Sequence, residues 1–403
     1  MKKIFLLLTV LLCFTVVISA KSVFDSADDA TKATLKEIDD LLDQQQFESA
    51  FGKTADTDNE YMLAKRVEIA INGFAQSIMH QMFAFKDLGE NETLYDVRTG
   101  TGEYSLIMFD PVKAIESFEK EHGEKAILKY SLGLYYQDVI DRYGDQWLLT
   151  TEQLVNKIIE NLSNALNMGC YDDYSLSILA TSFYQRKELD NAIEIYQLKQ
   201  KEFEFTPTDN YHYGILLWFT NNAKEGLEYT VKSIDGYKDE PAFQLDAYIV
   251  SARIALDLSD FKSAEKYLSE CKKKYPEDYR IYQYSVALYS LQNNKKKTLD
   301  SAMKIFEYGT ANPATCQMVM DECNGADKPE FAIEFFNTAL KKYSKDDKAL
   351  QNLYFHYAYQ LYLMQEKEQA AEMAEKARSY FDKNGELTEN IENMLNTLAG
   401  KTN

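Results

Sequence analysis

The sequence predicts an all-α protein built as a tandem array of helix pairs. Two observations carry most of that prediction. A small residue recurs through the C-terminal half at intervals of 30 to 38 residues, and all six prolines fall where helices would start or turn. A third is composition: 45% apolar residues can fill a large core, and no Ser-, Pro- or Gly-rich linker divides the chain.

In chain order, residues 1–20 read as a secretory signal. Lys2 and Lys3 precede an apolar run from Ile4 to Ile18, and Ser19-Ala20 supplies small residues for cleavage. The run is shorter than the ~20 residues a membrane span needs. Cys13 sits in mid-run behind Leu11-Leu12, without the small residue that bacterial lipidation requires, so a lipoprotein is not expected. No later stretch is apolar enough to span, so no membrane span is expected after cleavage. The chain is expected to be exported, periplasmic or secreted, from a bacterium.

Residues 21–170 are expected to be a degenerate helical region. LLDQQQFESAF places a small residue at Ala50, and DPVKAIESFEKEHG places Ala114 and Phe118 behind Pro111 at a first helical position. YSLGLYY, with Leu132-Gly133 and Tyr136, pairs with Ala165 across some 13 extra residues around Asp141 to Leu154. Between them, the stretch near 88–110 carries Gly100, Gly102 and the β-prone YSLIMF, which predicts a hairpin or an ordered loop.

Residues 171–381 are expected to be the regular array. The small residue opening the second helix of each pair is Ala192, Gly226, Ala264, Ala302, Ala332 and Ala370, spaced 34, 38, 38, 30 and 38. The variation implies turns that lengthen or shorten about a unit of 34. Small residues twelve positions upstream, at Ala180, Gly214, Ala252 and Ala358, let the two helices of a pair approach closely. Residues 382–403 read as a capping helix and tail, with a polar face suited to ending an array.

This pattern resembles the tetratricopeptide repeat: a small residue in helix A, then Ala, a large residue, a second small residue and Pro through helix B. The segment around Ala252, Ala264, Leu268, Cys271 and Pro276 is the fullest copy; Cys271 replaces the second Ala, and the common helix-A Trp is missing. The resemblance implies a right-handed superhelical solenoid whose helix-A positions 2, 5, 9 and 12 line a concave groove.

Charge and motifs exclude other classes. With 64 acidic and 44 basic residues the chain stands at −20, and losing Lys2 and Lys3 takes it to −22. Phosphate-rich partners are bound through Lys and Arg, so neither nucleic acid nor an anionic lipid surface is expected. His80, His122, His212 and His356 are scattered, and no HExxH, CxxC, GxSxG or P-loop occurs. No enzyme, metal or cofactor is therefore expected. Cys170, Cys271, Cys316 and Cys323 read as small core residues rather than a disulfide framework.

By the resemblance, the groove would present Tyr174, Tyr184, Tyr211, Trp218, Arg253, Arg280, Phe355, Tyr359 and Tyr362 to a partner. Tyr and Trp are amphipathic anchors with few rotamers to lose, and Arg can grip a carboxylate at two points. The Lys/Asn clamp by which a chaperone-binding subgroup holds a C-terminal carboxylate is absent. The function expected is binding of a peptide or partner protein with a basic surface. A ligand-binding adaptor of a transport system and a self-associating envelope protein are the alternatives.

Overall fold

The computed structural model describes residues 22–55, 58–79, 81–100 and 104–401. The signal assigned to residues 1–20, together with His80 and Gly102, lies outside them. The described residues form two compact units that divide between Phe203 and Glu204.

The N-terminal unit begins with α1 (Asp29–Asp43), α2 (Phe47–Lys53) and α3 (Glu60–Asn72). A small antiparallel sheet follows, β1 (Gln76–Met79), β2 (Met82–Phe85) and β3 (Ser105–Met108), with α4 (Leu94–Thr99) between β2 and β3. Then come α5 (Pro111–His122), α6 (Ala126–Tyr143), α7 (Thr151–Asn167), α8 (Asp173–Gln185) and α9 (Leu189–Glu202).

The strand expected near 88–110 exists, but it does not pair within that stretch. β3 runs against β2, Phe83 opposite Ile107, and Thr93 caps a short helix where a loop was expected. Phe83 and Phe85 of β2 are buried, and Phe85 stacks on Phe51 of α2 with ring centroids 4.3 Å apart. β2 therefore serves as the apolar floor of this unit. Alternation is the usual signature of a half-exposed strand, and Phe83-Ala84-Phe85 is buried throughout.

The C-terminal unit is five helix pairs and a cap. The A helices are α10 (Pro207–Phe219), α12 (Pro241–Asp257), α14 (Tyr279–Leu291), α16 (Pro313–Gly325) and α18 (Asp347–Leu363). Their B partners are α11 (Ala223–Gly236), α13 (Phe261–Lys274), α15 (Lys295–Glu307), α17 (Pro329–Lys342) and α19 (Lys367–Lys383), and α20 (Glu389–Leu398) closes the unit. Pro207, Pro241, Pro313 and Pro329 start helices, where a missing N–H costs nothing, and Pro276 stands between α13 and α14. Side-chain caps from Thr206, Asp278, Asn312 and Asp346 satisfy the first amides of the A helices α10, α14, α16 and α18.

One turn joins A to B in every pair of the C-terminal unit, and it recurs in the N-terminal unit between α1 and α2 and between α8 and α9. The seven non-glycine residues with positive φ among the described residues are Gln45, Lys187, Asn221, Ser259, Asn293, Asp327 and Gln365, all between 54° and 64°. In each case the next residue's N–H reaches back to the carbonyl five positions earlier, as Glu188 to Phe183 and Asn222 to Leu217, at 2.7 to 2.9 Å. That bond is the Schellman closure of a helix C-terminus. Five residues after each left-handed residue stands a buried small one: Ala50, Ala192, Gly226, Ala264, Thr298, Ala332 and Ala370.

This register corrects the expected spacing. The fourth anchor is Thr298, 1% exposed, rather than Ala302, and the intervals become 34, 38, 34, 34 and 38. Ala302 lies one helical turn further along the same buried face, so small-residue matching cannot tell the two apart. The A-to-B turns do not vary in length either. The two 38-residue units carry 17-residue A helices, α12 and α18, where α10, α14 and α16 have 13.

Close approach is tightest between α10 and α11. A Cβ on Gly226 would lie 2.5 Å from the Gly214 carbonyl oxygen, so the two backbones touch where α12–α13 and α18–α19 carry Ala at both matching positions. Elsewhere large side chains fill the gaps: Phe336 of α17 stacks on Tyr357 of α18 at 5.2 Å, and Phe306 meets Phe335 edge-on at 5.8 Å. Successive A helices from α12 to α18 pack on one another, whereas among the B helices comparable closeness occurs between α15 and α17. The crowded A layer is thus the inner side of this unit.

Two stability predictions follow from the turn and the crossing. Gln365→Gly, removing a Cβ from left-handed backbone, is expected to stabilise by about 0.5–1 kcal/mol, and Gln365→Val to destabilise. Gly226→Ala is expected to cost about 2 kcal/mol or more, because the obstacle is backbone rather than a movable side chain. Urea-denaturation midpoints check both.

Candidate binding surface on the A helices

The shared turn places helix-A positions 2, 5, 9 and 12 in the same relation to every pair, but burial then sorts them. Ile249, Leu256, Ala287, Ser290 and Asn352 at those positions are buried and belong to the core. The nine residues singled out from the sequence all keep some exposure.

Tyr174 and Tyr184 belong to the N-terminal unit, on α8. Tyr174 is 57% exposed and lines a cavity of about 280 Å³ with Phe24, Glu68, Tyr130, Asp138 and Asp141. Partial burial, with Asp141 and Asp138 nearby, pushes its phenol pKa up. Tyr184 stands exposed one helix end away.

The other seven lie on the A helices of the C-terminal unit, where a polar ladder links α10 to α16. The Trp218 indole N–H donates to Asp257 Oδ2 at 3.0 Å, and Arg253 Nε lies 3.4 Å from Asp257 Oδ1. The Arg253 guanidinium sits 5.8 Å from the Tyr284 ring centroid and 4.0 Å from Glu322, which accepts from Gln283 at 2.8 Å. Burial holds the Glu322 carboxyl above the usual range, opposed by the Gln283 bond and by Arg253. One step on, Asn324 and Gln360 exchange amide bonds of 3.1 and 2.9 Å between α16 and α18.

Arg280 does not offer its fork to a partner. Its Nε and Nη2 donate to the two oxygens of Asp278 at 2.9 and 3.0 Å, and Nη1 donates to Asp246 at 2.6 Å. The two-point grip expected for a bound carboxylate is made within the chain. Tyr211 is half-buried and packs against the core, its ring 6.5 Å from Tyr237.

Phe355, Tyr359 and Tyr362 come together. With His356 from the same helix, Gln317 from α16 and Met394 and Leu398 from α20, they line a largely apolar pocket of about 360 Å³. Phe355 meets Phe381 edge-on at 5.9 Å, and His356 Nδ1–H donates to the Asn352 carbonyl at 2.9 Å. Burial lowers the His356 pKa, so the pocket floor is neutral at pH 7. Gln317 also donates to the exposed Asp321 at 2.6 Å, which sets a carboxylate at the pocket rim.

Sequence reasoning missed Asp257, Glu322, Asn324, Gln360 and the α20 side of the pocket. Polar residues pairing 36 or 39 positions apart, one repeat plus a turn or less, were the available signal. Among the described residues, no group of three or more His, Cys, Asp or Glu is placed to hold a metal, and no helix is long and apolar enough to cross a membrane. Cys271, Cys316 and Cys323 are buried free thiols, and burial pushes Cys271 and Cys323 up to about 12.

By fold the chain is an all-α helical-repeat protein. Its pairs, joined by one turn and mostly repeating at 34 residues, resemble tetratricopeptide repeats in length and layout. No family model matches the chain, and no curated protein matches it. Among solved structures it is similar to YrrB, described as a TPR protein with an unusual peptide-binding site, at 12% identity over 49% of this chain and 92% of that one, TM-score 0.40. A tetratricopeptide repeat protein from Parabacteroides merdae shares 16% identity over 68% of this chain and 98% of its own, TM-score 0.44. The C-terminal part of a repeat protein from Cytophaga hutchinsonii shares 13% over 65% and 99%, TM-score 0.43.

Because the folded state raises the Glu322 pKa, ionising it costs more in the fold than in the unfolded chain. That cost is present at pH 7 and vanishes as pH falls below the carboxylate range. Glu322→Gln is therefore expected to gain stability over the parent at pH 7 and to lose that gain near pH 4, by urea denaturation at both.

Proposed function

We propose that this chain is an exported, non-catalytic scaffold that holds an extended peptide or partner protein against the A helices of its C-terminal unit. The observation that supports it is the A layer itself. It forms the inner side of that unit, and it carries an aromatic and polar strip from Trp218 through Arg253 to the pocket at Phe355, Tyr359 and Tyr362. Tyr and Trp on such a strip bury large area at low entropy cost, and neighbouring amides and carboxylates give direction to polar partners. The excess of 64 acidic over 44 basic residues favours partners with basic surfaces and makes association salt-sensitive. Export rests on the leader-like residues 1–20, and a periplasmic or secreted location follows from it.

A second reading is a small-ligand adaptor of a transport system. What favours it is the cavity of about 280 Å³ in the N-terminal unit, with Tyr174 and Tyr130 in its walls. A self-associating envelope protein has no comparable observation behind it.

The immobilised chain is expected to retain a partner from an envelope extract of the producing cell at low salt and to release it at high salt. The double variant Tyr211→Ala/Trp218→Ala, with an unchanged circular dichroism spectrum, should recover at least tenfold less. Equal recovery by the folded double variant rules the A-helix strip out.

A further inference from the structure

Resting on the peptide-binding reading, the structure narrows the kind of peptide. The pocket between α16, α18 and α20 is apolar and neutral, and its volume of about 360 Å³ suits one large side chain. Its walls are rigid for a surface feature. Phe355 is braced edge-on by Phe381, His356 is tied to the Asn352 carbonyl, and Leu398 is buried in the small core under α20. An apolar side chain entering it would cover the exposed parts of Tyr362 and Met394.

The charge at its rim has one sign. Asp321 is exposed and is bonded by the neutral Gln317 amide, the same side chain that lines the pocket. Next to it in sequence, Glu322 faces Arg253 across 4.0 Å, and Arg253 also answers Asp257. The other arginine of the layer, Arg280, is consumed by Asp278 and Asp246. On the A helices from α12 to α16 these five carboxylates meet two guanidinium groups, so the strip leading to the pocket is net negative, and among the described residues no cation pairs with Asp321.

We infer that this surface takes a peptide of another protein bearing a large apolar residue with Lys or Arg about three residues away. The apolar residue fills the pocket and the cation pairs with Asp321. The spacing comes from the architecture: Asp321 lies on α16, one helix over from α18, and neighbouring helices pack about 8–10 Å apart, which is about three residues of extended chain. Charge complementarity decides for a basic rather than an acidic peptide, because an acidic one would meet Asp321 and find both arginines engaged.

The test is to pan a random dodecapeptide library against the full chain and against two variants, Asp321→Lys and Tyr359→Ala, each checked for unchanged helicity. The expected result is at least tenfold enrichment of peptides with a large apolar residue and Lys or Arg about three positions apart. Asp321→Lys should lose the basic preference and keep the apolar one, and Tyr359→Ala should do the reverse. Enrichment of peptides without a basic residue, or with no fixed spacing, overturns this inference and leaves peptide binding standing. No enrichment at all overturns both. A concentration-dependent dimer that blocks enrichment assigns the pocket to a second copy of the chain and also overturns it.

Discussion

Everything regular in this protein depends on one left-handed residue per helix pair. At Lys187, Asn221, Ser259, Asn293, Asp327 and Gln365 the backbone turns to positive φ, and the following amide closes on a carbonyl five residues back. That closure ends helix A at a fixed point and aims helix B at a fixed angle. The small residue five positions on then always arrives at the same height on helix A, opposite Ala180, Gly214, Ala252 and Ala358 and opposite Val286 and Met320 in the other two pairs. Without a constant turn, the Ala252–Ala264 and Gly214–Gly226 contacts could not recur, and the large residues between pairs would have no constant gap to fill. Using residues with a Cβ at this position costs something at each turn. The repeated backbone bond and the packing it permits offset that cost.

The same turn decides which residues are available for binding. Because it fixes helix rotation, positions 2, 5, 9 and 12 of helix A always face the inner layer, yet their fate depends on the neighbouring A helix. Where that neighbour is close, Ile249, Leu256 and Ser290 are swallowed into the core. Where it brings a polar partner, Trp218, Gln283 and Arg253 join a ladder instead. Among the described residues α20 is the element that follows the last pair, and the aromatic residues of α18 surround a pocket that α20 only partly closes.

The fold was legible because helix-pair periodicity and proline placement are local properties of the chain. Its register was legible except where two small residues lie one turn apart on a buried face, as Thr298 and Ala302 do. The turn itself was not, since Lys, Asn, Ser, Asp and Gln share no type that advertises positive φ as glycine does. The sheet escaped because β2 is apolar on both faces and β3 pairs with it across the intervening residues 86–104. The candidate surface was legible as a set of aromatic positions, and Phe355, Tyr359 and Tyr362 do converge. That Arg280 is spent on Asp278 and Asp246 depends on a contact between repeats, which spacing alone does not reveal.

The extra turn on α12 and α18 bears on how such a chain can change over generations. A 17-residue A helix in place of a 13-residue one extends the helix by close to one full turn, so the side chains after it keep their faces. Four codons gained or lost at the start of an A helix are thus nearly silent to the core, whereas one or two would rotate every later contact into solvent. Heritable length variation in this array should be quantised in whole turns and concentrated at helix starts, leaving the A-to-B turns untouched.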